Sequence, residues 1–200
     1  MIEEGLLLAT TNQGKIKELR ARLKSLSIGI FSLKDLQLTQ IFPEEGTTFL
    51  ENARGKSLFY SRYWESLTLA EDSGIEIDYL KGAPGVYSSR FAGPNATDED
   101  NLQKVLQLLD KIPQKKRKAR FVSCMVLTRN GQIITEIQEY ADGMITPQKK
   151  GHEGFGYDPI FFYPPLAKTF AELSPDQKNA VSHRGRALDK LHKFLLENLA

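Results

Sequence analysis

Four short segments of this 200-residue chain carry residue types whose spacing can do chemistry. The first, Thr10-Thr11-Asn12-Gln13-Gly14-Lys15, lies between a short apolar run and a helical repeat. Phosphate oxygens need donors at close range. A strand-to-helix loop of this kind offers hydroxyls, an amide, backbone N–H groups at a positive helix end and a mobile ammonium. Its spacing is not that of a P-loop. An ordinary polar loop with a helix cap at Asn12 accounts for the same residues. The second, Glu71-Asp72-Ser73-Gly74, follows a buried apolar run, with Glu44 and Glu45 upstream in a loop able to converge on it. Carboxylates so gathered either bind a hard divalent cation or compete for a proton, which raises one pKa toward the range of a general base. Magnesium is the favoured ion, because it takes only one or two protein carboxylates and completes its shell with water and phosphate. As plain structure, the tetrad is a charged turn in which Gly74 supplies positive φ.

The third segment is Gly154-Phe155-Gly156-Tyr157-Asp158-Pro159. An aromatic between glycines can be laid flat against a ligand, and stacking on a nucleobase is worth about 1–3 kcal/mol in single-strand binders. The commoner fate of such aromatics is the core. The fourth pairs Lys178 with Ser182-His183-Arg184-Gly185, cationic and imidazole donors at the start of the last helix, suited to reading a carbonyl on a base edge. Surface charge at a helix start is the plain alternative, and His183 also belongs to the residue type that titrates near neutrality. The run Lys115-Lys116-Arg117-Lys118-Ala119-Arg120 reads as a solvated loop. His152 and His192 lack ligand-like neighbours, and Cys124 reads as packing in a buried strand.

The elements that must position these residues follow from periodicity. Gly5 to Ala9 reads as a strand, and Ile16, Leu19, Leu23 and Leu26 as a helix capped by Asn12. Thr48-x-x-Glu51 opens a second helix whose apolar face carries Phe49, Leu50, Ala53, Leu58 and Tyr60, with Lys56 inside it. Leu67–Ala70 reads as a buried strand and Ile75, Ile77 and Tyr79 as a separate one, before a turn at Gly82-Ala83-Pro84-Gly85. Thr97-x-x-Asp100 starts a third helix that Pro113 closes. Asn130-Gly131, between Phe121–Thr128 and Gln132–Glu139, is a strong hairpin signal, so part of the sheet is antiparallel. Ile160–Tyr163 is a last strand, Ser174-Pro175-Asp176-Gln177 starts a helix, and Leu188, Leu191, Leu195 and Leu199 stripe the final one. This alternation predicts an α/β domain around a mixed sheet.

Lys+Arg 27 against Asp+Glu 25 excludes the field of a dedicated nucleic-acid binder, and 40% hydrophobic content excludes a disordered chain. One cysteine rules out an intrachain disulfide and a multi-cysteine zinc site, and points to a reducing cytosol. Met1-Ile2-Glu3-Glu4 is acidic where a secretory signal is basic, and no apolar run approaches the roughly 20 residues that span a bilayer.

Taken in order, the segments resemble the inosine triphosphate pyrophosphatase family, also called Ham1-like. The resemblance runs from Leu6 to Leu199. It rests on Ala9-Thr10-x-Asn12-x-Gly14-Lys15, Gly46-x-Thr48-Phe49-x-Glu51-Asn52-Ala53, Asp72-Ser73-Gly74, Gly82-Ala83-Pro84-Gly85, Phe155-Gly156-Tyr157-Asp158-Pro159-Ile160-Phe161 and Ser182-His183-Arg184-Gly185. It implies a single domain over residues 1–200, a mixed twisted sheet flanked by helices, with two lobes around a substrate cleft. It also implies hydrolysis of ITP, dITP or XTP to the monophosphate and pyrophosphate, in a cytoplasmic homodimer that uses Mg2+ and takes no nucleic acid or membrane as partner. By motif position, Thr10, Thr11, Asn12, Gln13, Gly14, Lys15 and Lys56 would hold the phosphates. Glu44 and Asp72 would hold the metal, Asp72 would serve as general base, and Ser73 would lie next to the substrate. Phe155 would stack on the base, Gly156, Tyr157 and Asp158 would complete its pocket, and Lys178, His183 and Arg184 would read its edge. Relatives often carry Asp-Asp where this chain has Glu71-Asp72, and Glu45 or Glu71 stands as an alternative to Glu44. The rivals are a Maf-like pyrimidine or modified-nucleotide pyrophosphatase, whose Ser-Pro-Arg-type opening is absent here, and a non-catalytic nucleotide- or RNA-binding module using the basic run.

Overall fold

The computed structural model describes residues 5–26 and 28–198, so the acidic Met1–Glu4 stretch and Leu199 lie outside the described residues. The opening apolar run is strand β1 (Gly5–Leu8), buried at every position. It pairs in parallel with β2 (Gly29–Ser32) and with β3 (Leu67–Ile77). Its uninterrupted hydrophobicity is what a parallel strand covered on both faces requires. Leu6 and Leu8 pack with Ile16, Leu19 and Leu23 of α1 (Gln13–Leu23). Leu7 and Ala9 pack with Leu33, Ala70 and Tyr60, the last residue of α2 (Phe49–Tyr60).

The later elements are α3 (Asp98–Leu108), β4 (Lys118–Arg129), β5 (Gln132–Ile145), β6 (Phe161–Tyr163), β7 (Lys168–Thr169), α4 (Pro175–Val181) and α5 (His183–Asn198). The strands form one mixed sheet in the order β2-β1-β3-β4-β5-β6-β7, antiparallel from β5 through β7. Asn130 and Gly131 turn β4 into β5 with φ of 50° and 72°, the left-handed pair that a tight hairpin needs. Caps read from sequence are present: Thr48 with Glu51, Thr97 with Asp100 and Ser174 with Gln177 are all reciprocal boxes.

The chain divides into two compact units. The first comprises Met1–Asp72, Ser123–Gln138 and Ala187–Ala200, and the second Ser73–Val122 and Glu139–Arg186. Each has its own core. In the second, Ile75, Ile77, Leu102, Val105, Phe121, Phe161 and Phe170 are buried together.

Several expectations are corrected. The two strands expected around Glu71–Gly74 are one continuous strand, β3, while Tyr79 sits exposed in a 3₁₀ turn at Asp78–Leu80. The polar tetrad stays in the strand because its carboxylates find partners, Ser123 Oγ donating to Glu71 (2.9 Å) and Asn52 Nδ2 to Asp72 (3.0 Å), and just beyond it Ser88 Oγ accepts the Ile75 N–H (2.9 Å). Gly74 is needed for close approach rather than positive φ, since a Cβ there would meet Ser88 and the Gly85 carbonyl. Ile160 belongs to the 3₁₀ turn before β6. On α2 the buried face is Phe49, Asn52, Ala53, Lys56, Ser57 and Tyr60, and Leu50 and Leu58 are only half-buried.

The basic run is no simple solvated loop either. Arg117 is buried and donates to the carbonyls of Leu109 and Ile112, tying the end of α3, and Arg120 lies in β4 paired with Glu76. Cys124 is buried, as its strand position requires.

Candidate active site

In the first unit, the start of α1, the buried face of α2 and strand β3 contribute to a charged cluster. Asn12 caps α1, its Oδ1 accepting the Lys15 N–H at 3.0 Å, while Thr10 Oγ1 accepts the Asn12 N–H at 3.2 Å. Gln13 Nε2 donates to the Thr11 carbonyl at 3.2 Å. The first turn of α1 holds no acidic residue, so its positive end is uncompensated by a carboxylate of its own. Thr11, Asn12 and Gln13 are exposed, and Gly14 and Lys15 are partly covered.

Asp72 is buried on β3, and burial pushes its carboxyl up from the ordinary range. Lys15 and Lys56 pull it down, Glu44 pushes it further up, and the Asn52 amide pulls it down. These groups therefore share one electrostatic neighbourhood. Lys56 is itself buried on α2 and forms an ion pair with Glu44. Glu44 is half-covered and Glu45 exposed, so of the two loop carboxylates it is Glu44 that faces the cluster. Glu71 takes a hydrogen bond from Ser123 on β4, whereas Asp72 takes one from Asn52 on α2. Neighbouring side chains of a strand leave opposite faces, so Glu71 does not share Asp72's surroundings.

Asn52 was not singled out as a site residue from the sequence. Only 1% exposed, it accepts the Gly46 N–H (2.8 Å) and donates to Asp72 (3.0 Å), tying the acidic loop to the strand carboxylate. The available signal was its spacing: Asn52 falls with Phe49, Ala53 and Lys56 on the buried helix face, where an amide needs a polar partner.

A buried carboxylate whose proton affinity is raised by a second carboxylate nearby suits a hard divalent cation held through oxygen. Among the described residues no group of three or more His, Cys, Asp or Glu could hold a metal.

In the second unit, Gly154 and Gly156 adopt φ of 78° and 62° on either side of Phe155. Phe155 is partly exposed, with the Lys178 ammonium 4.9 Å and the Arg184 guanidinium 5.3 Å from its ring centre. Asp158 is buried and accepts both the Phe155 N–H (2.9 Å) and Lys178 Nζ (2.6 Å). Arg184 donates to Ser73 Oγ at 3.0 Å.

His183 stacks on Phe121, with ring centres 4.6 Å apart and planes 6° apart. Tyr157 takes the core role: its ring is buried and its hydroxyl donates to the Ser88 carbonyl at 2.7 Å. Lys178 and the His183-Arg184 pair do not share a helix start. Lys178 lies in α4 and the pair opens α5, where Ser182 Oγ accepts the Gly185 N–H at 3.0 Å.

The first unit thus gathers a helix end and two lysines about one buried and one half-covered carboxylate, and the second sets two cations against an aromatic ring. The chain belongs to the Ham1 family, which it matches across residues 6–194. It is 44% identical over 191 residues to the dITP/XTP pyrophosphatase of Desulforamulus reducens, covering 95% of this chain and 94% of that protein. It is 43% identical over 193 residues to the dITP/XTP pyrophosphatase of Clostridium perfringens, covering 92% and 94%. The solved structure of a HAM1 protein from Coxiella burnetii aligns with a TM-score of 0.87 at 39% identity, covering 97% of this chain and 99% of that one. No helix among the described residues is long and apolar enough to cross a membrane.

Proposed function

We propose that this protein hydrolyses the α–β anhydride of deaminated purine nucleoside triphosphates, ITP, dITP and XTP, to the monophosphate and pyrophosphate. The observation that carries this reading is Asp72, a buried carboxylate held by Asn52 and set among Lys15, Lys56 and Glu44. A carboxylate whose proton affinity is raised by burial is a better base near neutral pH than an exposed one. It accepts a proton from water as the water oxygen bonds to phosphorus and the bridging oxygen leaves with pyrophosphate. No covalent enzyme intermediate is needed, and Cys124 is buried in packing.

The α1 N-terminus, with Thr10, Thr11, Asn12, Gln13, Gly14, Lys15, and Lys56 of α2, binds the polyphosphate. Mg2+, held by Glu44 and Asp72, would neutralise polyphosphate charge and polarise its oxygens. Phe155 stacks on the base, framed by Gly156 and Asp158, with Tyr157 as the buried post beneath. Lys178, His183 and Arg184 present donors to the purine 6-oxygen, and Ser73 orients Arg184. Adenine carries an amino donor at that position, so ATP would bring donor against donor. Sites built around one hydrogen bond discriminate by up to about 10⁴-fold. On the family's footing the enzyme works in the cytoplasm as a homodimer.

The test is incubation with Mg2+ and, separately, ITP, XTP, dITP, GTP, ATP and pyrimidine triphosphates, with pyrophosphate and orthophosphate measured independently. Pyrophosphate from ITP and XTP, far above that from ATP, is expected. Preference for pyrimidine triphosphates would favour the Maf-like reading, and tight binding without turnover a binding module.

A further inference from the structure

We propose that Asp98, at the first position of α3, is a positioning residue that fixes the direction of Phe155 through the Gly156 amide. The proposal rests on the base-stacking role of Phe155 proposed above.

The argument begins with the two glycines. A residue between glycines in the left-handed region gains little direction from its own backbone, because glycine moves between positive and negative φ at small cost. Something else must hold the turn. Upstream, the loop is held by main-chain hydrogen bonds, the N–H groups of His152 and Glu153 both donating to the Ala171 carbonyl at 3.0 Å. At the turn itself two carboxylates act. Asp158 takes the Phe155 N–H at 2.9 Å, and Asp98 Oδ2 takes the Gly156 N–H at 2.9 Å. The peptides before and after Phe155 are thereby held by different elements.

The next residue of α3 holds the other end of the loop. Lys149 Nζ donates to both carboxylate oxygens of Glu99, at 2.8 and 3.0 Å, and Gln103 donates to the same group at 2.8 Å. Thr97 and Asp100 close a capping box around this first turn, so Asp98 and Glu99 project from a fixed base. The first turn of α3 thus clamps residues 149 and 156 with consecutive carboxylates. A ring held in place before its ligand arrives forfeits less conformational entropy on binding.

Asp98→Asn and Asp98→Ala separate this role from the other use of an acid at N1, its attraction to the helix dipole. The dipole role needs the charge, which both variants lose. The positioning role needs an acceptor for the Gly156 N–H, which asparagine keeps and alanine does not.

Two readouts are used on the full chain. Amide hydrogen exchange across residues 154–158, without nucleotide, is expected to quicken in Asp98→Ala and to stay near wild type in Asp98→Asn. Steady-state kinetics with ITP is expected to show KM raised about 5- to 10-fold in Asp98→Ala, with kcat within about 2-fold and Asp98→Asn close to wild type, as loss of the one hydrogen bond to the Gly156 N–H allows. Equal exchange and equal KM in the two variants would overturn the proposal. Altered exchange with unaltered KM would overturn the link to nucleotide binding, and failure of the wild type to turn over ITP would instead overturn the functional reading beneath it.

Discussion

Asp72 is held in a state that costs the fold something. Its carboxyl is pushed up mainly by burial, which means the folded protein resists the ionised form more than the unfolded chain does. Lys15 and Lys56 offset only part of that. Asparagine has nearly the same shape, carries no charge, and its Oδ1 can still accept from Asn52 Nδ2. Asp72→Asn is therefore expected to lower kcat by about 10²–10⁴-fold, the usual worth of a general base, while leaving Tm at neutral pH unchanged or raised. Kinetics on ITP and thermal melting without added metal check this together. A variant with wild-type turnover removes Asp72 from the reaction, and one that is inactive because it melts far lower has lost structure rather than chemistry. Pattern alone drew attention to the Glu71-Asp72 pair at the end of an apolar run, and the proposed role of Asp72 within it comes from the family resemblance. The role of Asn52 was not legible in the sequence, since a single amide on a helix face says nothing of a strand carboxylate 20 positions away.

The elements were legible where a local pattern marks them and illegible where a distant partner decides. Three capping boxes and the Asn130-Gly131 hairpin each depend on residues within a few positions, and all are present. The continuity of β3 depends on Ser123, Asn52 and Ser88, none of them adjacent, so the polar tetrad looked like a break. β2 and β7 hold four and two residues, too few to display a period. At the end of β2 a different local device holds the chain. Asp35 accepts the Ser32 N–H and the Ser32 hydroxyl, both at 2.8 Å, and pairs with Arg20 of α1. The Ser32 N–H, then its hydroxyl, then Arg20 hold the Asp35 carboxyl below its usual range. A depressed folded value means that the ionised group stabilises the fold above the unfolded value of about 3.9, and that this contribution fades as pH falls through the lower folded value. The Tm gap between wild type and Asp35→Asn should therefore be constant from pH 7 to about 5 and close as the solution is taken below pH 4. A gap independent of pH would show that shape, not charge, is what Asp35 contributes.

At the scale of the whole chain, the two units have separate cores but share their framework. The boundaries between them fall between Asp72 and Ser73, Val122 and Ser123, Gln138 and Glu139, and Arg186 and Ala187. Each of those points lies inside β3, β4, β5 or α5. Unfolding one unit alone would leave three strands and a helix ordered over part of their length, with the hydrogen-bond ladder ended in mid-element. The chain is therefore expected to melt as one domain. Leu69→Ala in the first core and Phe161→Ala in the second should each remove about 2–5 kcal/mol of stability and move the same single calorimetric transition. If the homodimer forms, that transition also rises with protein concentration, because assembly adds to stability by mass action. Two transitions, each displaced by only one of the substitutions, would mean that the units fold independently and that residues 1–200 are not one domain.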